Sequence, residues 1–182
     1  INGETCELME SLYDDEIPFH GGMPPAVADV DGDGNVELFV QEAKINETDG
    51  ARRILAYHWN EKLNKYTRWW ESKANDEKVA VTRKLMQNPL SIHDINDDGV
   101  PEVILFTGEV LNAQTGVMLN RNIDGSILRP SMGAFPTVGD FDGDGKIEIS
   151  QVVLDEASGT SNANVYEWDS EKNGWVLDWS WG

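Results

Sequence analysis

The residues best placed to do chemistry form one acidic loop that occurs three times. The copies are Asp29-Val30-Asp31-Gly32-Asp33-Gly34-Asn35-Val36-Glu37, Asp94-Ile95-Asn96-Asp97-Asp98-Gly99-Val100-Pro101-Glu102 and Asp140-Phe141-Asp142-Gly143-Asp144-Gly145-Lys146-Ile147-Glu148. Each sets an oxygen-bearing side chain at loop positions 1, 3, 5 and 9, with glycine at position 6. Calcium is a hard cation that takes about six to eight oxygens at ~2.3–2.6 Å, and alternate residues of a tight turn can aim side chains at one point. The glycine permits the sharp bend. Position 7 would add a backbone carbonyl, so its side chain should be indifferent, and it is Asn35, Val100 or Lys146. Without a cation, carboxylates crowded into one loop repel, so metal and local order should be coupled. About three calcium ions are expected.

A helix-loop-helix calcium site opens the same way but closes with a bidentate Glu at about position 12. Here that position holds Val40, Leu105 and Gln151, and none can serve. The middle copy is the poorest, with Asn96 replacing a carboxylate and Pro101 beside Glu102. Other chemistry is thinly represented. His93 abuts Asp94, but no nucleophile with an orienting group accompanies it. His20 and His58 read as structural, and no zinc, phosphate-loop or nucleophile-elbow pattern occurs. Asp14, Asp15, Glu16 and Asp155 are acids outside the loops that no spacing pairs. A lone cysteine, Cys6, excludes an internal disulfide framework and leaves a buried or incidental thiol, or a bond to a cysteine elsewhere in a longer chain or in another copy. Asn46-Glu47-Thr48 fits a glycosylation acceptor in a surface insertion.

The elements that must position the loops read as strands. A short run precedes each loop: Ala26-Val27-Ala28, Leu90-Ser91-Ile92-His93 and Pro136-Thr137-Val138-Gly139. A more apolar run follows: Val36 to Val40, Val103 to Phe106, and Ile147 to Leu154. Near-continuous apolar strands are expected where a sheet is covered on both faces. Two further candidates complete each unit: Arg53 to Trp59 with Tyr66 to Trp70, Glu109 to Asn112 with Val117 to Leu119, and Asn164 to Trp168 with Trp175 to Trp181. Alternation predicts that the adjacent pair Trp69-Trp70 points to opposite faces, and that Trp175, Leu177, Trp179 and Trp181 share one packed face. Exposed tryptophans would be free to stack on sugars or anchor a partner.

Composition narrows the partners. Thirty-three Asp and Glu against 14 Lys and Arg give a net charge of −19, which opposes wrapping of nucleic acid or docking on an anionic bilayer. No run approaches the ~18 apolar residues of a spanning helix, so membrane insertion is not expected. The chain reads as soluble, with any export signal removed or lying elsewhere. With 40% hydrophobic residues and seven Trp, the acidity belongs to a packed domain rather than to a disordered one.

Three units of four short antiparallel strands describe blades of a β-propeller. The loops with their strand contexts resemble FG-GAP/VCBS-type repeats, the calcium-binding blades of integrin α-subunit heads and of many secreted bacterial proteins. The resemblance spans about residues 24–182 and implies one all-β propeller segment with blades near 24–80, 81–130 and 131–182, residues 1–23 forming an extension or edge strand. It implies that Asp29, Asp31, Asp33, Asn35 and Glu37 ligate calcium, as do Asp94, Asn96, Asp98, Val100 and Glu102, and Asp140, Asp142, Asp144, Lys146 and Glu148. Where the family commonly has Asp at position 9 this chain has Glu, whose longer arm could bind bidentately or leave room for a water. Closed propellers have about four to eight blades, so three call for further blades of a longer chain or for other copies. The implied role is extracellular: a non-catalytic module for protein or glycan binding, adhesion or surface assembly. The alternatives are a secreted polysaccharide lyase or hydrolase on the same scaffold, and a structural subunit of a surface filament.

Overall fold

The computed structural model describes residues 24–42, 53–72, 90–105, 108–120, 137–155 and 159–181. Cys6, His20, Asn46, the acids Asp14, Asp15 and Glu16 and the whole 1–23 segment lie outside the described residues, as do Phe106 and the side chain of Asp155. Every regular element among those described is a strand. In chain order they are β1 (Ala26–Ala28), β2 (Glu37–Gln41), β3 (Ile54–Asn60), β4 (Lys65–Glu71), β5 (Ser91–His93), β6 (Glu102–Ile104), β7 (Val110–Asn112), β8 (Met118–Asn120), β9 (Thr137–Gly139), β10 (Glu148–Asp155), β11 (Thr160–Asp169) and β12 (Gly174–Trp181).

The strands form three four-stranded antiparallel sheets, each a simple meander: β1-β2-β3-β4, β5-β6-β7-β8 and β9-β10-β11-β12. Each acidic loop joins the first two strands of its sheet, so strand pairing fixes both ends of the loop. In the first sheet Ala28 pairs with Glu37, in the second His93 with Glu102, and in the third Gly139 with Glu148. The last loop residue is thus also the first residue of a strand in all three sheets.

The middle sheet is covered on both sides, and its near-continuous apolar strands follow from that. Val103, Leu105 and Leu111 pack with Phe39, Ile54 and Ala56 of the first sheet. Ile104 and Val110 point the other way and pack with Ile149, Trp168 and Trp175 of the third. Full burial of such side chains stabilises by about 1.5–3 kcal/mol each. Indole N–H groups fix the alignment of the sheets: Trp70 Nε1 donates to the Ala113 carbonyl at 2.9 Å and Trp175 Nε1 to the Gly108 carbonyl at 2.8 Å. A third tie runs from Gln114 Nε2 to the carbonyl of Val30, inside the first acidic loop, at 2.7 Å.

Two expectations about tryptophan fail, and a bulge contributes to each failure. The outermost strand of each sheet carries one residue more than its partner, between the pairs Ala56↔Trp70 and Tyr57↔Arg68, Val110↔Asn120 and Leu111↔Met118, and Val165↔Trp179 and Tyr166↔Leu177. The unpaired residues are Trp69, Leu119 and Asp178. Such a bulge breaks strict alternation. Trp69 and Trp70 therefore both pack against the core between the first two sheets, and Trp69 also stacks on His58. In β12 the bulge at Asp178 puts Trp179 and Trp181 out of phase with the buried Trp175, and Trp181 is 61% exposed; Leu177 precedes the bulge, stays in phase with Trp175 and is 50% exposed on this edge strand.

Candidate metal centres

The loops are built on side-chain oxygens that accept backbone N–H groups. In the first, Asp29 accepts from Gly32 at 2.8 Å through Oδ1 and from Gly34 at 3.0 Å through Oδ2. Asp31 accepts from the N–H of Asp33 at 3.1 Å, and Asp33 from that of Asn35 at 2.7 Å. The third loop repeats the set. Asp140 accepts from Gly143 (2.6 Å) and Gly145 (3.1 Å), Asp142 from Asp144 (3.0 Å) and Asp144 from Lys146 (2.8 Å). These local bonds replace ladder bonds that a tight turn cannot make, which is why Asp and Asn suit these positions.

Position 9 closes each loop. Glu37 Oε2 accepts from Val30 N–H at 2.9 Å, Glu102 Oε2 from Ile95 N–H at 3.1 Å and Glu148 Oε2 from Phe141 N–H at 2.7 Å. The three glutamates are 1%, 0% and 2% exposed. Burial raises the pKa of all three, and the neighbouring aspartates add to the rise. Glu102 is pushed up to about 7, first by burial and then by Asp98 and Asp94, against a lowering hydrogen bond from Ile95. Its Oε1 is buried with no hydrogen-bond partner. A buried carboxylate oxygen left in this way is costly unless something positive meets it.

The loops differ in how far their carboxylates converge. Oxygens of Asp140, Asp142, Asp144 and Glu148 lie within 4.8 Å of one another, as do those of Asp29, Asp31 and Glu37. Asp33 belongs to the first loop's hydrogen-bond frame but not to that converged set. The middle loop has nearly the same frame: Asp94 accepts from Asp98 (3.2 Å), where the sister loops use the position-4 glycine, and from Gly99 (2.9 Å), Asn96 accepts from Asp98 (3.0 Å) and Asp98 from Val100 (2.8 Å). Among the described residues it presents no converged carboxylate set. Instead the Asn96 amide donates to Asp98 Oδ2 at 3.1 Å. Its position 4 is Asp97, with φ of 57°, where the sister loops have Gly32 and Gly143 at 76° and 82°.

Position 7 is not indifferent in the third loop. Lys146 Nζ pairs with Glu167 of β11 and lies 3.5 Å from Asp144 Oδ2. Lys146 also borders a cleft of about 430 Å³ whose walls include Ile95, Asn96 and Asp97 of the middle loop and Glu167 and Asp169 of the third sheet. Partial burial holds the His93 imidazole below its ordinary pKa, and among the described residues it takes no part in the loops' hydrogen-bond frame.

The donor set fits a hard divalent cation. Every converged atom is a carboxylate oxygen, and the orphaned Glu102 oxygen is the kind of atom a cation would complete. Since Oε2 of each position-9 glutamate is held by a backbone N–H, Oε1 is the oxygen left for a metal. This backbone bond was missed from sequence, although one signal was there: Glu stands at position 9 in all three copies while position 7 varies.

No protein-family model matches the sequence, and a comparison with curated proteins finds no significant match. Among solved structures, the chain is similar to the rhamnogalacturonan lyase YesW, with 19% identity and a TM-score of 0.47 over 81% of this chain and 27% of that one. It is also similar to the exotype rhamnogalacturonan lyase YesX, with 15% identity and a TM-score of 0.48 over 80% of this chain and 28% of that one. The chain thus spans little more than a quarter of the length of either enzyme.

Proposed function

We propose that the chain is a calcium-stabilised, non-catalytic module of an extracellular protein, its three sheets being consecutive FG-GAP/VCBS-type propeller blades. The observation that carries this reading is the convergence of a buried glutamate with aspartates in the first and third loops. Asp29, Asp31 and Glu37 would hold one ion and Asp140, Asp142, Asp144 and Glu148 another, with Asp33 drawn in on binding. Asp94, Asn96, Asp98 and Glu102 would make a weaker site in the middle loop. A bound calcium supplies two positive charges that offset carboxylate repulsion and burial. The chain's own part is to aim the oxygens: backbone N–H groups orient each aspartate before any ion arrives, and strand pairing holds the glutamate.

Millimolar calcium outside cells would fill even sites with dissociation constants of ~10⁻⁴–10⁻³ M, which supports an extracellular setting. Three blades do not close a propeller, so the free faces would meet further blades, other copies, or a protein or glycan ligand. Calorimetric titration of the metal-free protein tests the reading. Two calcium ions should bind more tightly than a third, with magnesium weaker, because it dehydrates reluctantly and demands stricter geometry. No heat and no bound calcium at millimolar concentration would refute it. Depolymerisation of acidic polysaccharides by the purified chain would move the function to the enzyme alternative.

A further inference from the structure

We infer that Lys146 is a cation built into the third loop, which competes with an incoming divalent ion for Asp144 and makes the third site weaker than its four carboxylates alone would be. The inference rests on the calcium reading above. It begins from the position-5 carboxylate, whose second oxygen meets a side-chain donor in the middle and third loops but not, among the described residues, in the first. Asp98 Oδ2 accepts from the Asn96 amide and Asp144 Oδ2 faces Lys146 Nζ, while Asp33 has no side-chain donor among the described residues.

The lysine is not needed to order its loop. The backbone bonds that orient Asp140, Asp142 and Asp144 recur in the first loop, where position 7 is Asn35. What Lys146 adds is charge, and Glu167 keeps that charge in place. A fixed ammonium beside a ligand oxygen repels a second cation arriving at the same carboxylate, and partial exposure and salt reduce the effect. Among the described residues the first loop has no such competitor, so its site should fill first.

The test uses the full chain with the first loop silenced by Asp29→Asn with Asp31→Asn and the middle loop by Asp94→Asn with Asp98→Asn, titrated with calcium by calorimetry. Adding Lys146→Met should tighten the remaining site by roughly two- to fivefold at low salt, the scale of an exposed ion pair. The gain should shrink in high salt. Lys146→Arg should restore the weaker affinity, and Lys62→Met, which removes an exposed lysine of the β3–β4 turn, should leave it unchanged. The inference is overturned if Lys146→Met binds no tighter than the silenced parent, or if Lys62→Met gives the same gain. Absence of binding in the unsilenced protein would overturn the calcium reading and this inference together.

Discussion

The third acidic loop and the middle one share nearly the same hydrogen-bond frame, yet only the third draws its carboxylates together. Asp142 and Asn96 occupy equivalent places, and each accepts the backbone N–H two residues on, at 3.0 Å in both loops. An amide oxygen serves the backbone as well as a carboxylate oxygen does. It differs in charge and in carrying an N–H₂ group, which in the middle loop donates to Asp98. Turn formation and carboxylate convergence are therefore separable properties of one motif: the first needs only acceptors, and the second is seen where position 3 carries a carboxylate.

The largest expected effect tests the shared scaffold. Trp175→Ala removes a buried ring and the N–H that ties the third sheet to the middle one, and should cost ~3–5 kcal/mol in denaturant melts, with or without calcium. A melt like the parent's would mean that the loops, not the cores, hold the sheets together. Next come the glutamates. Glu37→Ala, Glu102→Ala and Glu148→Ala each leave a backbone N–H without its acceptor and should each cost about 1–3 kcal/mol in chelator. In calcium the penalty should grow for Glu37 and Glu148 more than for Glu102.

Exchanging the charge tests the comparison itself. Asn96→Asp should tighten calcium binding at the middle loop by about tenfold, ~1.4 kcal/mol, and Asp142→Asn should weaken the third by a similar factor. Both are measurable by calorimetry, and equal affinities before and after would end the distinction between the loops.

Smaller effects follow from Glu102 and Asp97. The Glu102 carboxyl titrates near 7 in the folded protein against about 4.5 when unperturbed. Between those values the folded state holds the extra proton, so in chelator its contribution to stability falls as pH rises through this window and levels off above it. Glu37 and Glu148 shift in the same direction. Glu102→Gln should flatten the middle loop's share of that slope in urea melts at pH 5 and pH 8. At position 4, Gly143→Ala should cost about 1 kcal/mol, whereas Asp97→Gly should gain a few tenths, since both positions have left-handed backbone.

Much of this was legible in the chain because two periodicities reinforce each other. Val103 and Ile104 read as a strand covered on both faces, and they pack toward opposite neighbours. Asp or Asn at positions 1, 3 and 5 with glycine at 6 marked the turns. The bulges at Trp69 and Asp178 were not legible, because an extra residue in one strand shows only against the register of its partner. Lys146 was set aside for the same kind of reason. A residue contributing backbone to its own loop reads as free to vary, and its partner Glu167 lies 21 residues away on another strand.

The central claim is that converged carboxylates in the first and third loops hold divalent cations that stabilise the sheets. Thermal melts of the parent and of the Asp29→Asn/Asp140→Asn variant, each in millimolar calcium and in chelator, test it most directly. The parent should melt higher in calcium by an amount that grows with calcium concentration, and the variant should lose most of that gain. Superimposable parent melts in calcium and chelator, or a variant that keeps the full calcium shift, would contradict it.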